Sequence, residues 1–109
     1  MNSKAWQDKR RDWSARCVTL TGSPPVCLVC GLRWSLRSGH LHHLTCQGLG
    51  AEDPADLMAL CARDHARLHA VLDTSPSWRR LGRAVATVGT IALLRRRERV
   101  ARDVQELAS

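Results

Sequence analysis

A chain of 109 residues with 44% hydrophobic and 25% charged side chains has the composition of one folded domain and is too short for two separate cores. Four Trp with no Phe and no Tyr exclude the aromatic stacking surface of an RRM and any tyrosine nucleophile; with lysine confined to Lys4 and Lys9, neither a Walker GKS/GKT loop nor an E-x-K nuclease motif is available downstream. Seventeen Lys+Arg against ten Asp+Glu give a formal charge of +7, almost all of it arginine, whose forked guanidinium pairs with phosphate, so a polyanion is the expected partner.

Residues 4 to 16 carry helix formers with Trp6, Trp13 and Cys17 on one face and charges on the other, which predicts a short basic helix. Met1 to Lys9 has no apolar h-region, so no secretory signal is expected and the location is expected to be cytoplasmic. Thr19 to Pro25 breaks the helix and leads into Cys27-Leu28-Val29-Cys30-Gly31, a metal-knuckle turn by its residues. Leu32 to Leu36 is a short extended piece, Arg37-Ser38-Gly39 a turn, and His40 to Thr45 a strand whose alternation puts Leu41 and His43 on one face. Gln47 to Ala55, with two glycines and a proline, is a loop, and Asp56 to Leu60 a second extended segment entering Cys61.

From Ala62 to Leu72 the spacing of Leu68, Val71 and Leu72 with His65 and His69 fits a helix. Ser75 as N-cap and Pro76 at the first position open a last helix running towards Leu107. Its Leu81, Val85, Val88 and Ala92 fall on one face and are expected to pack on the core. Gly82 and Gly89 are expected to permit close helix packing, and Arg95-Arg96-Arg97 with Arg99 form a basic block. The longest apolar run, Ala84 to Leu94, is 11 residues, short of the ~20 that cross a bilayer, so no membrane span is expected.

The chemistry is concentrated in the middle of the chain. Five cysteines, an odd number containing a C-x2-C pair, read as metal binding before disulfides in a reducing compartment. All five histidines, His40, His42, His43, His65 and His69, lie within 30 residues. His65 and His69 at i, i+4 project from one helix face and can grip one ion. His42 and His43 are neighbours on a strand and point to opposite faces, so one is expected to bind metal and the other to do chemistry. Phosphodiester cleavage needs both parts: a cation to neutralise developing charge and a base for the attacking water.

Leu41-His42-His43-Leu44-Thr45, the loop through Leu49-Gly50, Asp56 to Cys61, and His65 with His69 resemble the HNH endonuclease family, over residues 27 to 70. The resemblance implies an α+β fold: a small ββα-metal core at 27–72 with a zinc-knuckle-like Cys pair, flanked by a basic N-terminal helix at 1–20 and a long basic C-terminal helix at 75–107, all one domain. It implies His42, His65 and His69 as ligands of a divalent metal (Mg²⁺, Mn²⁺, Ni²⁺ or Zn²⁺), His43 as general base, and Asp56 at the family's middle N. It further implies a structural zinc on Cys27, Cys30 and Cys61, with Asp64 where relatives have a fourth cysteine and Cys17 or Cys46 as substitutes.

The expected partner is double-stranded DNA, cut to 3′-hydroxyl and 5′-phosphate ends, with Arg79, Arg80, Arg83, Arg95, Arg96 and Arg97 as contacts and a homodimer or a larger nuclease or phage-packaging complex as the assembly. His40 matches no family position and is expected to be a surface residue or phosphate contact; Cys17 and Cys46 are expected in the core. Two other readings stay open: a zinc finger on Cys27-x2-Cys30-x11-His42-x3-Cys46, or an HNH fold serving as an inactive subunit.

Overall fold

The computed structural model describes residues 3–45 and 54–108. Six elements follow in order: α1 (Lys4–Thr21), β1 (Gly39–His43), β2 (Leu57–Cys61), α2 (Ala62–Thr74), α3 (Pro76–Arg79) and α4 (Arg83–Ala108), with a 3-10 turn at Pro54–Asp56 before β2. The fold is mixed α+β with one two-stranded antiparallel sheet and a long C-terminal helix. Cys46, considered above as core or ligand, lies outside the described residues.

Helix α1 runs five residues past the expected end at 16 because nothing stops it before Gly22. Ser3 caps its start by accepting the Trp6 amide at 3.1 Å, and Gly22, left-handed at φ 76°, closes it onto the Val18 carbonyl. Arg10 is buried and fastens the helix to the sheet: its Nη2 donates to the carbonyls of Leu36 (3.0 Å) and Gly39 (2.6 Å), and its guanidinium lies 5.4 Å from the Trp34 ring.

The segment between α1 and β1 makes a tight ribbon. Val26 bridges Arg33, the Cys27 amide donates to Leu32, and the Gly31 amide donates to Cys27 with Gly31 at φ 76°. The Cys27–Gly31 turn is tied to β2 by the Leu28 amide on the Ala59 carbonyl at 3.0 Å. The expected extended piece at Leu32 to Leu36 shrinks to the single bridge at Arg33.

In the sheet, His42 faces Met58 and His40 faces Leu60 across the pair. The period-two alternation of strands sorts the residues between two cores. Leu41, Leu57 and Ala59 join Trp34, against Trp6 and Trp13 of α1. Leu60, with Met58 beside it, joins Leu68, Leu72, Ala86, Ile91 and Leu94 of α2 and α4 and the knuckle residues Cys27 and Val29.

The C-terminal region departs from expectation. One helix from Pro76 is replaced by two: α3 is a single turn capped by Ser75, and Gly82 at φ 85° turns the chain before α4. The break rotates the helix, so the buried face of α4 is Ala86, Thr87, Thr90, Ile91 and Leu94. The expected face, Leu81, Val85, Val88 and Ala92, is exposed instead. Periodicity misled here because Thr87 and Thr90 are fully buried while the valines beside them are not. Gly89 does allow a close approach: any Cβ there would overlap the Trp78 ring. Among the described residues no helix is long and apolar enough to cross a membrane.

Candidate metal centres

Two groups of potential ligands form on the two sides of α2. His42 from β1 and His65 and His69 from α2 bring one ring nitrogen each within 4.8 Å of one another. Their rings sit 4.7 to 5.5 Å apart and close to perpendicular. The convergence follows from two periodicities, i, i+4 on the helix and the inward face of the strand.

His42 is 1% exposed, with Nε2 held 3.2 Å from Thr87 Oγ1 and Nδ1 buried without a hydrogen-bond partner. An orphaned ring nitrogen is the atom a cation would take, while the other nitrogen is fixed by a neighbour. Burial pushes His42 down to about 3, with repulsion from Arg83, His65, His69 and His43 in the same direction. Burial likewise lowers His65 to about 4, helped by His69, His40 and Arg83. Both rings are therefore neutral near pH 7, with lone pairs free for a metal, and an all-imidazole set suits a transition-metal ion.

The fourth imidazole of this pocket is not His43. His40, on the same strand face as His42, places its Nδ1 2.8 Å from His65 Nδ1, with ring centroids 5.0 Å apart. His65 Nε2 in turn lies 3.1 Å from His69 Nε2. A His65 that offers Nε2 to a cation carries its proton on Nδ1 and donates it to His40, so His40 sets the tautomer of a ligand. His40 is exposed, as expected of a surface residue, and its contact with His65 is an addition that the i, i+2 spacing of His40 and His42 on a strand could have signalled.

His43 points the other way, as strand alternation requires. Its ring stacks on Trp6 of α1 at 5.5 Å and 22°, and its carbonyl accepts from Arg83 Nε at 3.0 Å. Asp56 braces the ends of the loop: Oδ1 accepts from the amide (2.9 Å) and hydroxyl (3.0 Å) of Thr45, and its carbonyl accepts from the Leu44 amide. Its Oδ2 is buried without a hydrogen-bond partner. Asp56 thus ties the two ends of the loop together and sits in the 3-10 turn rather than in an extended segment.

The second group is Cys27, Cys30, Cys61 and Asp64. Cys27 and Cys61 thiols lie 3.3 and 3.2 Å from Asp64 Oδ2, and Cys30 Sγ is 3.9 Å from Cys61 Sγ. Asp64 is fully buried. Its Oδ1 is held by Arg63 Nε (3.3 Å) and Arg67 Nη1 (2.8 Å), and both arginines also reach Glu98 of α4. This leaves Oδ2 alone facing the sulfurs. Burial works against ionised Asp64, but donation from Cys61, Cys27, Arg63 and Cys30 outweighs it and holds the carboxyl down at about 2. Burial pushes the Cys30 thiol up to about 12 and raises Cys61 as well, so in the absence of a cation these are thiols. Three thiolates, a carboxylate and a divalent ion would leave two negative charges, which Arg63 and Arg67 match.

Cys17, the other substitute considered for the fourth ligand, is a free, half-buried thiol on α1 outside this group. Among the described residues His42 groups with His65 and His69 and not with Cys27 and Cys30; the fourth position of the Cys-Cys-His-Cys finger, Cys46, lies outside the described residues. Of the expected nucleic-acid contacts, Arg79, Arg80, Arg95, Arg96 and Arg97 are exposed, and Arg83 is turned onto His43. No protein-family model, curated protein or solved structure matches the chain.

Proposed function

We propose that this chain is a metal-dependent endonuclease of the HNH type that hydrolyses phosphodiester bonds in DNA. The observation that carries the reading is the meeting of His42, His65 and His69, two of them held neutral by burial, in one pocket between a strand and the following helix. These three would hold a divalent cation, which would supply Lewis-acid polarisation of the scissile phosphate and charge stabilisation of the departing oxygen. His43 takes a proton from the attacking water as the new P–O bond forms; the P–O3′ bond breaks with its electron pair on O3′, which takes a proton from solvent water, giving 3′-hydroxyl and 5′-phosphate ends. Trp6 fixes the plane of His43, Arg83 holds its backbone, and Asp56 holds the strand ends in register. Cys27, Cys30, Cys61 and Asp64 hold a structural zinc.

The test is nicking of supercoiled plasmid by purified protein with Mg²⁺, Mn²⁺, Ni²⁺ or Zn²⁺. His43→Ala is expected to keep the fold and lower cleavage about 100- to 10,000-fold, the worth of a positioned base. Wild-type protein that nicks with none of these ions ends the reading.

A second reading is favoured by one observation, the Trp6 ring lying over His43. Under it the chain is a non-catalytic metal-binding module or an inactive subunit of a larger nuclease or packaging assembly. It predicts metal-dependent DNA binding without cleavage by the wild type or by Trp6→Ala, whereas a covered but competent base predicts cleavage that changes when Trp6 is removed.

A further inference from the structure

A cleft of about 540 Å³ lies on the outer side of the knuckle, away from the histidine pocket. One wall is the turn from Val26 to Gly31, and the other is α4 through Ala92, Arg95, Arg99 and Arg102. Among the described residues no acidic side chain lines it.

The arginines of this chain divide into two sets by what they touch. Arg63 and Arg67 are spent on Asp64 and Glu98, Arg11 on Asp8, Arg10 on backbone carbonyls and Arg83 on the His43 carbonyl. Among the described residues Arg95, Arg99 and Arg102 meet no carboxylate and no carbonyl, and all three are exposed. Glu98 is turned onto Arg63 and Arg67, and Asp103 and Glu106 further along α4 are not part of the cleft lining. The described lining therefore carries three arginines and no carboxylate.

The geometry points to this cleft as a binding site for the sugar-phosphate backbone of a nucleic acid. Positions i, i+4 and i+7 rise over about 10 Å of helix axis. One strand of a duplex carries a charge every ~3.4 Å of axis, so the row spans about three consecutive phosphates. Arginine forks match phosphate oxygens bidentately. The opposite wall offers Val26, Leu28 and Val29 but no aromatic ring on which bases would stack, which favours contact with the backbone over readout of bases. Cys27 and Cys30 belong both to this wall and to the cysteine group, so the knuckle shapes the cleft. The identity of the partner rests on the nuclease reading; the charge and shape of the cleft do not.

The test compares the full chain with Arg95→Ala/Arg99→Ala/Arg102→Ala and with a charge-matched control, Arg11→Ala/Arg16→Ala/Arg37→Ala. Binding of a fluorescent random-sequence duplex is titrated across salt. The cleft variant is expected to lose about 10- to 100-fold in affinity near 0.1 M salt and to flatten the log–log salt slope by about 2.7, the release expected for three phosphates. The control is expected to change the slope by less than one. Equal effects of the two variants, or an unchanged slope in the cleft variant, overturn the site. Competition by a poly-glutamate peptide as effective as that by DNA also overturns it, in favour of an acidic protein partner. A wild type that binds through the cleft yet never nicks plasmid defeats the nuclease reading and leaves the cleft standing. Full nicking with no effect of the cleft variant defeats the cleft alone.

Discussion

His40 Nδ1 lies 2.8 Å from His65 Nδ1, so a residue outside the ligand triad contacts the imidazole whose Nε2 lies 3.1 Å from His69 Nε2. His40→Ala is expected to weaken Zn²⁺ or Ni²⁺ binding at the histidine pocket about 10- to 100-fold, the usual cost of losing a partner that orients a ligand. His42→Ala is expected to abolish it. Calorimetric titration of the two variants checks the order; equal affinities for His40→Ala and wild type would show that the 2.8 Å contact does not matter to the ion.

The two ligand groups predict two bound ions of unlike character. Asp64→Ala is expected to bring metal content from two zinc ions per chain to one, and Asp64→Cys to restore the second, since a thiolate replaces the carboxylate oxygen that faces the sulfurs. Native mass spectrometry of the zinc-loaded proteins reads the count directly. Retention of both ions by Asp64→Ala would remove Asp64 from the set.

Acid is expected to destabilise the metal-free protein in a definite window. His42 and His65 titrate at about 3 and about 4 in the folded chain against 6.5 when unfolded. Between those values the unfolded chain binds more protons, so the contribution these rings make above pH 6.5 is lost as pH falls from 6.5 towards 4. Thermal melting in chelator at about pH 7.5 and about pH 4.5 should show a lower Tm at the acid end, and His42→Ala should narrow the gap. Asp64 acts in a separate window, losing its contribution only as pH falls from 3.8 towards 2.

Gly39→Ala is expected to cost on the order of 1–3 kcal/mol, the range for overfilling a packed site. A Cβ at position 39 would overlap the Trp34 indole and the Ser35 carbonyl, and the same indole donates to the His40 carbonyl at 2.8 Å. Denaturant midpoints measure the loss, which should reach the histidine pocket as weaker metal binding because His40 is the next residue.

Much of the candidate site was readable because its residues obey short-range geometry. His65 and His69 are one helical turn apart, His42 and His43 alternate on a strand, and Cys27 to Gly31 holds its own turn. His40 was readable by the same alternation and was missed because no motif claimed it. The face of α4 was not readable: Thr87 is buried because His42 needs a hydrogen-bond partner, and Gly82 resets the helix phase. The first depends on a contact between distant parts of the chain, the second on a left-handed backbone at a glycine that helical periodicity does not announce. Arg10 was hidden for a related reason, since a charged residue on an otherwise basic helix gives no sign that carbonyls 26 and 29 positions away will surround it.

Asp64 and His65 are consecutive residues of α2, about 100° apart around its axis, and each belongs to a different ligand group. The helix is thus a shared axle. An ion seated at the sulfur end would limit the roll of α2 and so supply part of the ordering needed to seat one at the imidazole end; positive coupling between the two loadings, which share no atom, is the expected outcome.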